Sequence, residues 1–129
     1  MISWIHEIID GRRFRVAGPA FFPVNTEGAS TLVSLVREMV DPKPGMRVLD
    51  LYAGVGLYSH ASLNADVDIL ACEIEEFSCN DYRTNATDRP RAQIRNLDVE
   101  EFLRDFTPGR DVFDRSEEHT SELQSRYVI

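Results

Sequence analysis

The residues best suited to chemistry surround a glycine-rich turn in residues 48–59, which have the sequence VLDLYAGVGLYS. Gly54 and Gly56 stand one residue apart after an apolar run. This arrangement lets the backbone approach a ligand closely and opens a helix whose N-terminus carries partial positive charge. Asp50 precedes the glycines, and Glu73 ends the next apolar run. The sequence therefore predicts a ligand-binding turn that lies between two carboxylates.

Three classes of ligand use a turn of this kind. A triphosphate loop requires Gly-Lys-Ser/Thr at its end, which is absent here. A dinucleotide loop has a third glycine where Ser59 stands, and its pyrophosphate would face the Asp50 carboxylate. S-adenosylmethionine fits better, because Asp50 suits its cationic amino-acid portion and Glu73 can accept hydrogen bonds from both ribose hydroxyls. We expect S-adenosyl-L-methionine, with a nicotinamide dinucleotide as the alternative.

Two further residues are weaker candidates for the same ligand. Tyr52 could stack on or line the cofactor, or pack beneath the turn. Asp98 could meet the adenine amino group, and a helix N-cap is an equally good explanation for it. His6 and His60 stand alone in the sequence, so no metal site is predicted.

The hydrophobic pattern predicts the elements that position these residues. Asp10-Gly11 between apolar-rich arms indicates a β-hairpin, and Asn25 or Thr26 is a plausible N-cap for a helix that runs to about Val40. Beyond it, predicted strands alternate with predicted helices, as in a parallel, doubly wound α/β sheet. The strands are expected at residues 47–51, 67–74, 92–97 and from 111, and the helices at residues 56–63, 76–86 and 99–106.

Composition limits the possible functions. The 129 residues suit one domain, and the net charge of −8 disfavours a nucleic-acid surface, since Arg12, Arg13 and Arg15 form the only basic cluster. No apolar run approaches the ~18 residues of a membrane helix, and no leader segment is apparent. Cys72 and Cys79 lack metal-ligand spacing and are expected to be free core thiols, which indicates a cytoplasmic protein with no membrane partner.

Two separated motifs carry a resemblance to a known family. Residues 14–36, which contain FFPVN, followed by the turn at 48–59, resemble the RNA uracil-C5 methyltransferases, whose corresponding motifs are FFQVN and DLYCGVG. The resemblance covers about residues 14–113. Pro23 replaces the glutamine that contacts the cofactor in the family, and Ala53 replaces a cysteine. The proline removes a side-chain donor and acceptor, so one family contact is absent.

The resemblance implies a Rossmann-like class I methyltransferase fold and methylation of uridine C5 in rRNA or tRNA. In the family a cysteine thiolate adds to C6, C5 then attacks the sulfonium methyl, and a glutamate removes the C5 proton. The cysteine and the base lie downstream of the fourth strand, and neither Cys72 nor Cys79 matches the nucleophile. No catalytic residue is therefore expected within the chain. A methyltransferase for a small molecule, DNA or protein remains an alternative.

The same resemblance suggests how the chain is divided. Residues 1–24 are expected to be a hairpin and connector from a preceding domain, and residues 25–114 the N-terminal half of the methyltransferase domain. Residues 115–125, RSEEHTSELQS, look like a translated sequencing adapter, so residues 115–129 are expected to be a non-native, disordered tail. We then expect an incomplete sheet whose first strand has an unpaired edge and a chain that folds poorly.

Overall fold

Ten elements make up the described part of the chain. The computed structural model describes residues 3–18, 20, 22–23, 25–106 and 126–129. The elements, in chain order, are β1 (Trp4–Ile9), β2 (Arg12–Ala17), α1 (Thr26–Val40), β3 (Arg47–Leu51), a five-residue π-helical turn (Tyr58–Ser62), β4 (Asp68–Cys72), α2 (Glu76–Asn85), β5 (Ala92–Arg95), α3 (Val99–Asp105) and β6 (Arg126–Val128). No helix among these is long and apolar enough to cross a membrane.

The predicted hairpin is confirmed. Strands β1 and β2 pair antiparallel, with Ile9 opposite Arg12 across a two-residue turn. Asp10 and Gly11 both have positive φ, 55° and 78°, as the favoured two-residue hairpin turn requires. One face of the hairpin buries Phe14 and Val16 in a core shared with α1 and the segment after β3.

Helix α2 closes the outer edge of β2 with two side chains in place of a strand. The Asn85 amide accepts a hydrogen bond from the Arg15 backbone N–H (2.8 Å) and donates to the Arg15 carbonyl (3.1 Å). The fully buried Asp81 carboxylate accepts from the Ala17 N–H (2.6 Å) and from the Arg15 guanidinium (2.8 Å). Asn85 also donates to the Val55 carbonyl (3.0 Å), so one amide joins the hairpin to the glycine turn.

A four-stranded sheet carries the site, with every adjacent pair of strands parallel. The strand order is β5-β4-β3-β6, and Asp50 of β3 is opposite Ala71 of β4. Val48, Ile69 and Leu70 are completely buried, as expected for strands covered on both faces. The predicted parallel α/β sheet is confirmed, and Asp50 lies near the carboxyl end of a central strand.

The helix expected at residues 56–63 is a shorter π-helical turn over Tyr58–Ser62. Gly56 has φ +97°, which is incompatible with an α-helix, so helical geometry begins only after it. The Leu63 N–H then bonds to the Tyr58 carbonyl, five residues back (3.2 Å). A helical run this short buries Ser59 and His60 beside the strand.

The expectation of an unpaired first-strand edge is wrong. Strand β6 pairs with β3 from Arg47 to Leu49, and the Ile129 N–H bonds to the Leu49 carbonyl (2.8 Å). Residues 126–129, which fall within the tail expected to be disordered, are therefore an ordered part of the sheet. The unpaired backbone N–H and C=O groups at a strand edge can bond to the backbone of any extended segment. The strand expected from residue 111 and the adapter-like residues 115–125 lie outside the described residues.

Helix α1 has the predicted length, and its apolar side chains are divided between the core and the surface. Val33 and Val40 are buried, whereas Leu32, Leu35 and Met39 are exposed, Met39 by 78%. Asn25 is the N-cap, and its side chain accepts a hydrogen bond from the Gly28 N–H (3.0 Å). The apolar spacing gave the helix correctly but could not tell which of its two apolar stripes meets the core.

We expect Asn85→Ala to destabilise the fold by about 2–3 kcal/mol, because it removes three hydrogen bonds and leaves backbone groups of Arg15 unpaired. Urea denaturation followed by circular dichroism measures the change. The matched control is Asn80→Ala on the exposed side of the same helix. Equal denaturation midpoints for the two variants would contradict the role given to Asn85.

Candidate functional site

The glycine turn has an unusual backbone at three alternate positions. Tyr52, Gly54 and Gly56 have φ of 57°, 59° and 97°. For Tyr52 this left-handed conformation costs about 1–2 kcal/mol, and strain of this kind is concentrated at functional sites. These residues turn the chain at the carboxyl end of β3, where the Ala53 N–H bonds to the Cys72 carbonyl at the end of β4 (3.0 Å).

The two glycines serve different purposes. A Cβ on Gly54 would meet nothing within 4 Å, so the outer surface of the turn is open to a ligand. A Cβ on Gly56 would lie 2.4 Å from His60 Cδ2 and 2.9 Å from Tyr82 Cδ2. Gly54 therefore provides room on the outside of the turn, and Gly56 allows close packing on the inside.

Glu73 holds the turn against the end of β4. One carboxylate oxygen accepts a hydrogen bond from the Gly54 N–H (2.8 Å), and the other accepts from the Glu75 N–H (2.9 Å). A carboxylate has about four acceptor positions, and Glu73 is only partly buried, so it can still accept hydrogen bonds from a ligand. Glu73 lies beside the turn through hydrogen bonds to the backbone that were not foreseen, and its contact with a ribose stays a prediction.

Asp50 is only 2% exposed and lies beneath the turn. Its carboxylate accepts a hydrogen bond from the Ser59 hydroxyl (2.5 Å), which in turn accepts one from the Tyr82 hydroxyl (2.9 Å). Burial is the main cause that raises the pKa of Asp50 to about 7; the hydrogen bonds from Ser59 oppose this rise, and the nearby Glu73 charge contributes to it. Asp50 has no ion pair with any residue in the described ranges.

His60 fills the space under Gly56. Its ring lies 4.5 Å from that of Tyr82, and neither ring nitrogen has a hydrogen-bond partner among the described residues. Burial, followed by the charges of Arg12 and Arg89, lowers the pKa of His60 to about 3. The imidazole is therefore neutral at ordinary pH, and its main part in the site is to support the glycine turn by packing.

The remaining candidates lie around the rim. Tyr52 is 77% exposed beside the turn, so it is available to line a ligand and does not pack beneath the loop. Asp98 is the N-cap of α3 and accepts a hydrogen bond from the Glu100 N–H (2.7 Å). The structure thus supports the capping explanation for Asp98, and a contact with adenine stays a prediction.

Three residues of the site were not singled out from the sequence. Ser59 and Tyr82 hydrogen-bond to Asp50 directly and in series. The Asn96 amide donates to the carbonyls of Glu73 (3.1 Å) and Ile74 (2.9 Å), which fixes the backbone after β4. Ser59 had a usable signal, since it occupies the position of the third glycine in a dinucleotide loop, but the other two are identified only by tertiary contacts.

Comparison with known proteins agrees with this geometry. The chain is similar over 71% of its length to the structure of Pyrococcus abyssi tRNA (uracil-54, C5)-methyltransferase in complex with S-adenosyl-L-homocysteine, with a TM-score of 0.59, 25% identity and 23% of that chain covered. The M. jannaschii tRNA m1G37 methyltransferase has the same fold over 74% of this chain and 29% of its own, with a TM-score of 0.57 and 22% identity. The structure is therefore a partial Rossmann-like fold of the class I methyltransferases.

Proteins similar in sequence point to a narrower class of enzyme than the structural neighbours do. A protein of Streptomyces avermitilis that is named as an uncharacterized RNA methyltransferase is 34% identical over 104 residues, 78% of this chain and 24% of its own length. Human tRNA (uracil-5-)-methyltransferase homolog A is 30% identical, over 70% of this chain and 14% of its own length. No model of a protein family matches the chain. The matches confirm the resemblance to the RNA uracil-C5 methyltransferases. This chain spans about a quarter or less of the length of these sequence relatives.

Gly56→Ala is expected to destabilise the protein by about 2–4 kcal/mol, because a methyl group would overlap His60 and Tyr82 in a left-handed backbone. Thermal unfolding measures the loss. Gly45→Ala is the matched control, since Gly45 has φ +89° and open space around it, and only the backbone cost of about 1–2 kcal/mol applies. A loss for Gly56→Ala no larger than that control would refute the packing argument.

Stability should depend on pH through Asp50. Its pKa is raised on folding, so its contribution is fully present below the unfolded value of 3.8 and is lost as pH rises through about 7. The wild-type chain should therefore gain stability relative to Asp50→Asn as pH falls from about 8 to 4. His60 has the opposite dependence but is common to both proteins, so the difference isolates Asp50. Urea midpoints across this range test it, and a constant difference would contradict it.

Proposed function

We propose that the chain binds S-adenosyl-L-methionine at the turn after β3 and comes from an enzyme that methylates uridine C5 in RNA. The observation that carries the proposal is the placement of Asp50 and Glu73 on either side of an open glycine turn at the carboxyl end of a parallel sheet. Ligands of open α/β sheets bind at that edge. The crystal structure of the Pyrococcus abyssi enzyme with this fold is a complex with S-adenosyl-L-homocysteine.

The residues present fit the cofactor. The open outer surface at Gly54 lets an adenosine portion approach the backbone, and the partly exposed Glu73 carboxylate suits ribose hydroxyls. Exposed Tyr52 can cover one side of the ligand. When bound, the cofactor supplies an electrophilic methyl group, and the residues of this chain bind and orient it.

The groups that activate the uracil for methylation are expected in a part of the parent enzyme outside this chain. A nucleophilic cysteine needs a lowered pKa. Burial is the main cause that raises the pKa of both Cys72 and Cys79 to about 11, and their thiols donate to the carbonyls of Leu97 and Glu73. Both are packed, protonated thiols. We infer that the nucleophile and base lie in the part of the parent that this chain does not span, and that this chain alone transfers no methyl group.

RNA is proposed as the partner of the parent enzyme. The relatives are named for tRNA and for rRNA, as in the 23S rRNA (uracil(747)-C(5))-methyltransferase of Pyrococcus abyssi, which is 28% identical over 84% of this chain and 23% of its own length. This likeness favours RNA over a small molecule, DNA or protein. With reduced core cysteines, it also favours a cytoplasmic location.

Calorimetric titration with S-adenosyl-L-homocysteine and with NAD tests the cofactor. We expect binding of S-adenosyl-L-homocysteine only. Glu73→Gln should weaken it at least tenfold, because an amide cannot accept from both backbone N–H groups and loses a charge-assisted bond worth about 1.5–3 kcal/mol. Glu76→Gln, on the exposed first turn of α2, is the control and should bind normally. Binding of NAD, or of neither ligand, would overturn the proposal.

A further inference from the structure

The two outer edges of the β1–β2 hairpin differ in how they are covered. Asn85 of α2 bonds both main-chain groups of Arg15. Asp81 of α2 accepts from the Ala17 N–H, so the edge of β2 is closed. Strand β1 has no third strand and no hydrogen-bonding side chain on its outer edge from any residue in the described ranges. Its N–H and C=O groups on that side are therefore available to a strand of another chain.

The register of the hairpin identifies the main-chain groups at this open edge. The residues that close a two-residue turn exchange hydrogen bonds, and along the ladder such pairs alternate with pairs that do not. His6 and Arg15 form a pair that does not, since the Arg15 groups bond to α2. The N–H and C=O groups of Trp4, His6 and Ile8 therefore point away from β2.

Strand β1, WIHEII, lacks the proline, lysine or bulge that commonly protects an edge. It pairs with β2 through six consecutive residues without interruption. Trp4, Ile5 and Ile8 are each at least half exposed. A long, regular and apolar edge of this kind favours pairing with another strand.

The exposed apolar surface continues from β1 onto helix α1. Ile8 and Thr31 line a shallow groove, which continues along the helix to Leu35. Leu32 and Met39 lie one helical turn before and after Leu35, and both are exposed. Strand β1 and this side of α1 therefore form one continuous apolar face.

The area of this face suits a weak dimer. Its exposed large side chains are Trp4, Ile5, Ile8, Leu32, Leu35 and Met39. Each buries on the order of 100–150 Å² when fully covered, so at 46–78% exposure the six offer roughly 350–500 Å². Stable complexes bury about 800 Å² per partner, and the main chain of β1 adds only part of the difference.

A second copy of β1 fits the open edge in an antiparallel register. A two-fold axis at His6 pairs its outward groups with those of His6 in the second copy, and those of Trp4 with those of Ile8. The Trp4 and Ile8 side chains then lie opposite each other, and aromatic with β-branched pairs stabilise antiparallel strands. Glu7 is opposite Ile5, so no charged side chain of β1 faces a like charge.

We propose that two copies of this chain associate through β1 into a four-stranded antiparallel sheet of order β2-β1-β1-β2, with a two-fold axis at His6. Association stops at two copies, because α2 closes the outer edge of β2 in each of them. Asp50, Tyr52 and Glu73 lie on other elements. The dimer therefore does not depend on the proposed cofactor site.

Sedimentation equilibrium of the unaltered chain from about 1 µM to 1 mM measures the association. We expect a monomer–dimer equilibrium with a dissociation constant on the order of 10–100 µM, in keeping with the small interface. Trp4 is the one tryptophan in the sequence, so its fluorescence should shift to shorter wavelength over the same range of concentration.

A charge swap at the axis tests the register. His6→Asp or His6→Lys alone places two like charges opposite each other, so each variant should dimerise about fivefold more weakly than the unaltered chain. An equimolar mixture of the two brings opposite charges together and should associate more tightly than either variant alone. Thr84→Asp and Thr84→Lys, on the exposed surface of α2, are the matched controls and should associate like the unaltered chain, alone or mixed.

The results distinguish this edge from other surfaces. Dimerisation that either charge weakens and the mixture recovers supports the proposal. A monomer at every concentration overturns it and leaves the edge of β1 to a strand of a different polypeptide. A dimer that the His6 variants form as well as the unaltered chain also overturns it, because the contact then lies elsewhere. Circular dichroism checks the folding of each variant, and if neither His6 variant folds, Trp4 fluorescence of the unaltered chain decides.

Discussion

The backbone reversal between β3 and the π-helical turn is the constraint on which the site depends. It needs positive φ at Tyr52, Gly54 and Gly56, so it cannot be maintained by local preference alone. Contacts fix it from two sides, with Glu73 bound to the Gly54 N–H and Asn85 bound to the Val55 carbonyl. The strand end, helix α2 and the hairpin therefore all meet at one turn.

The interior of this turn is more polar than a core usually is. Asp50, Ser59, His60 and Tyr82 are all buried there, and within the part of the chain that the structure describes the His60 ring nitrogens have no hydrogen-bond partner. Each such group costs stability that apolar side chains would not cost. Buried polar groups and a strained backbone, as at Tyr52, reduce stability and are expected where function constrains the sequence. Their presence here agrees with a ligand site at the glycine turn.

Much of the fold could be predicted from the sequence, because it follows from short-range signals. Asp10-Gly11 fixed the hairpin, and apolar runs with intervening periodic segments gave the parallel sheet. The π-helical turn and the exposed stripe of α1 could not be predicted, since both depend on what packs against them. In the candidate site, chain spacing singled out Asp50, Gly54 and Glu73, whose role in binding stays a prediction, whereas Tyr82 and Asn96 enter through contacts that spacing does not report.

The pairing of β6 with β3 indicates which extended segments the edge of β3 can bind. Its bonds, such as those between Ile129 and the backbone of Leu49 and Leu51, join main-chain atoms only. A main-chain ladder recognises an extended conformation, and discrimination among sequences must come from side chains such as Ile129, which packs against the core around Val40 and Val48. The edge of β3 therefore accepts an extended segment through its main chain, and the apolar side chains of that segment contribute the packing.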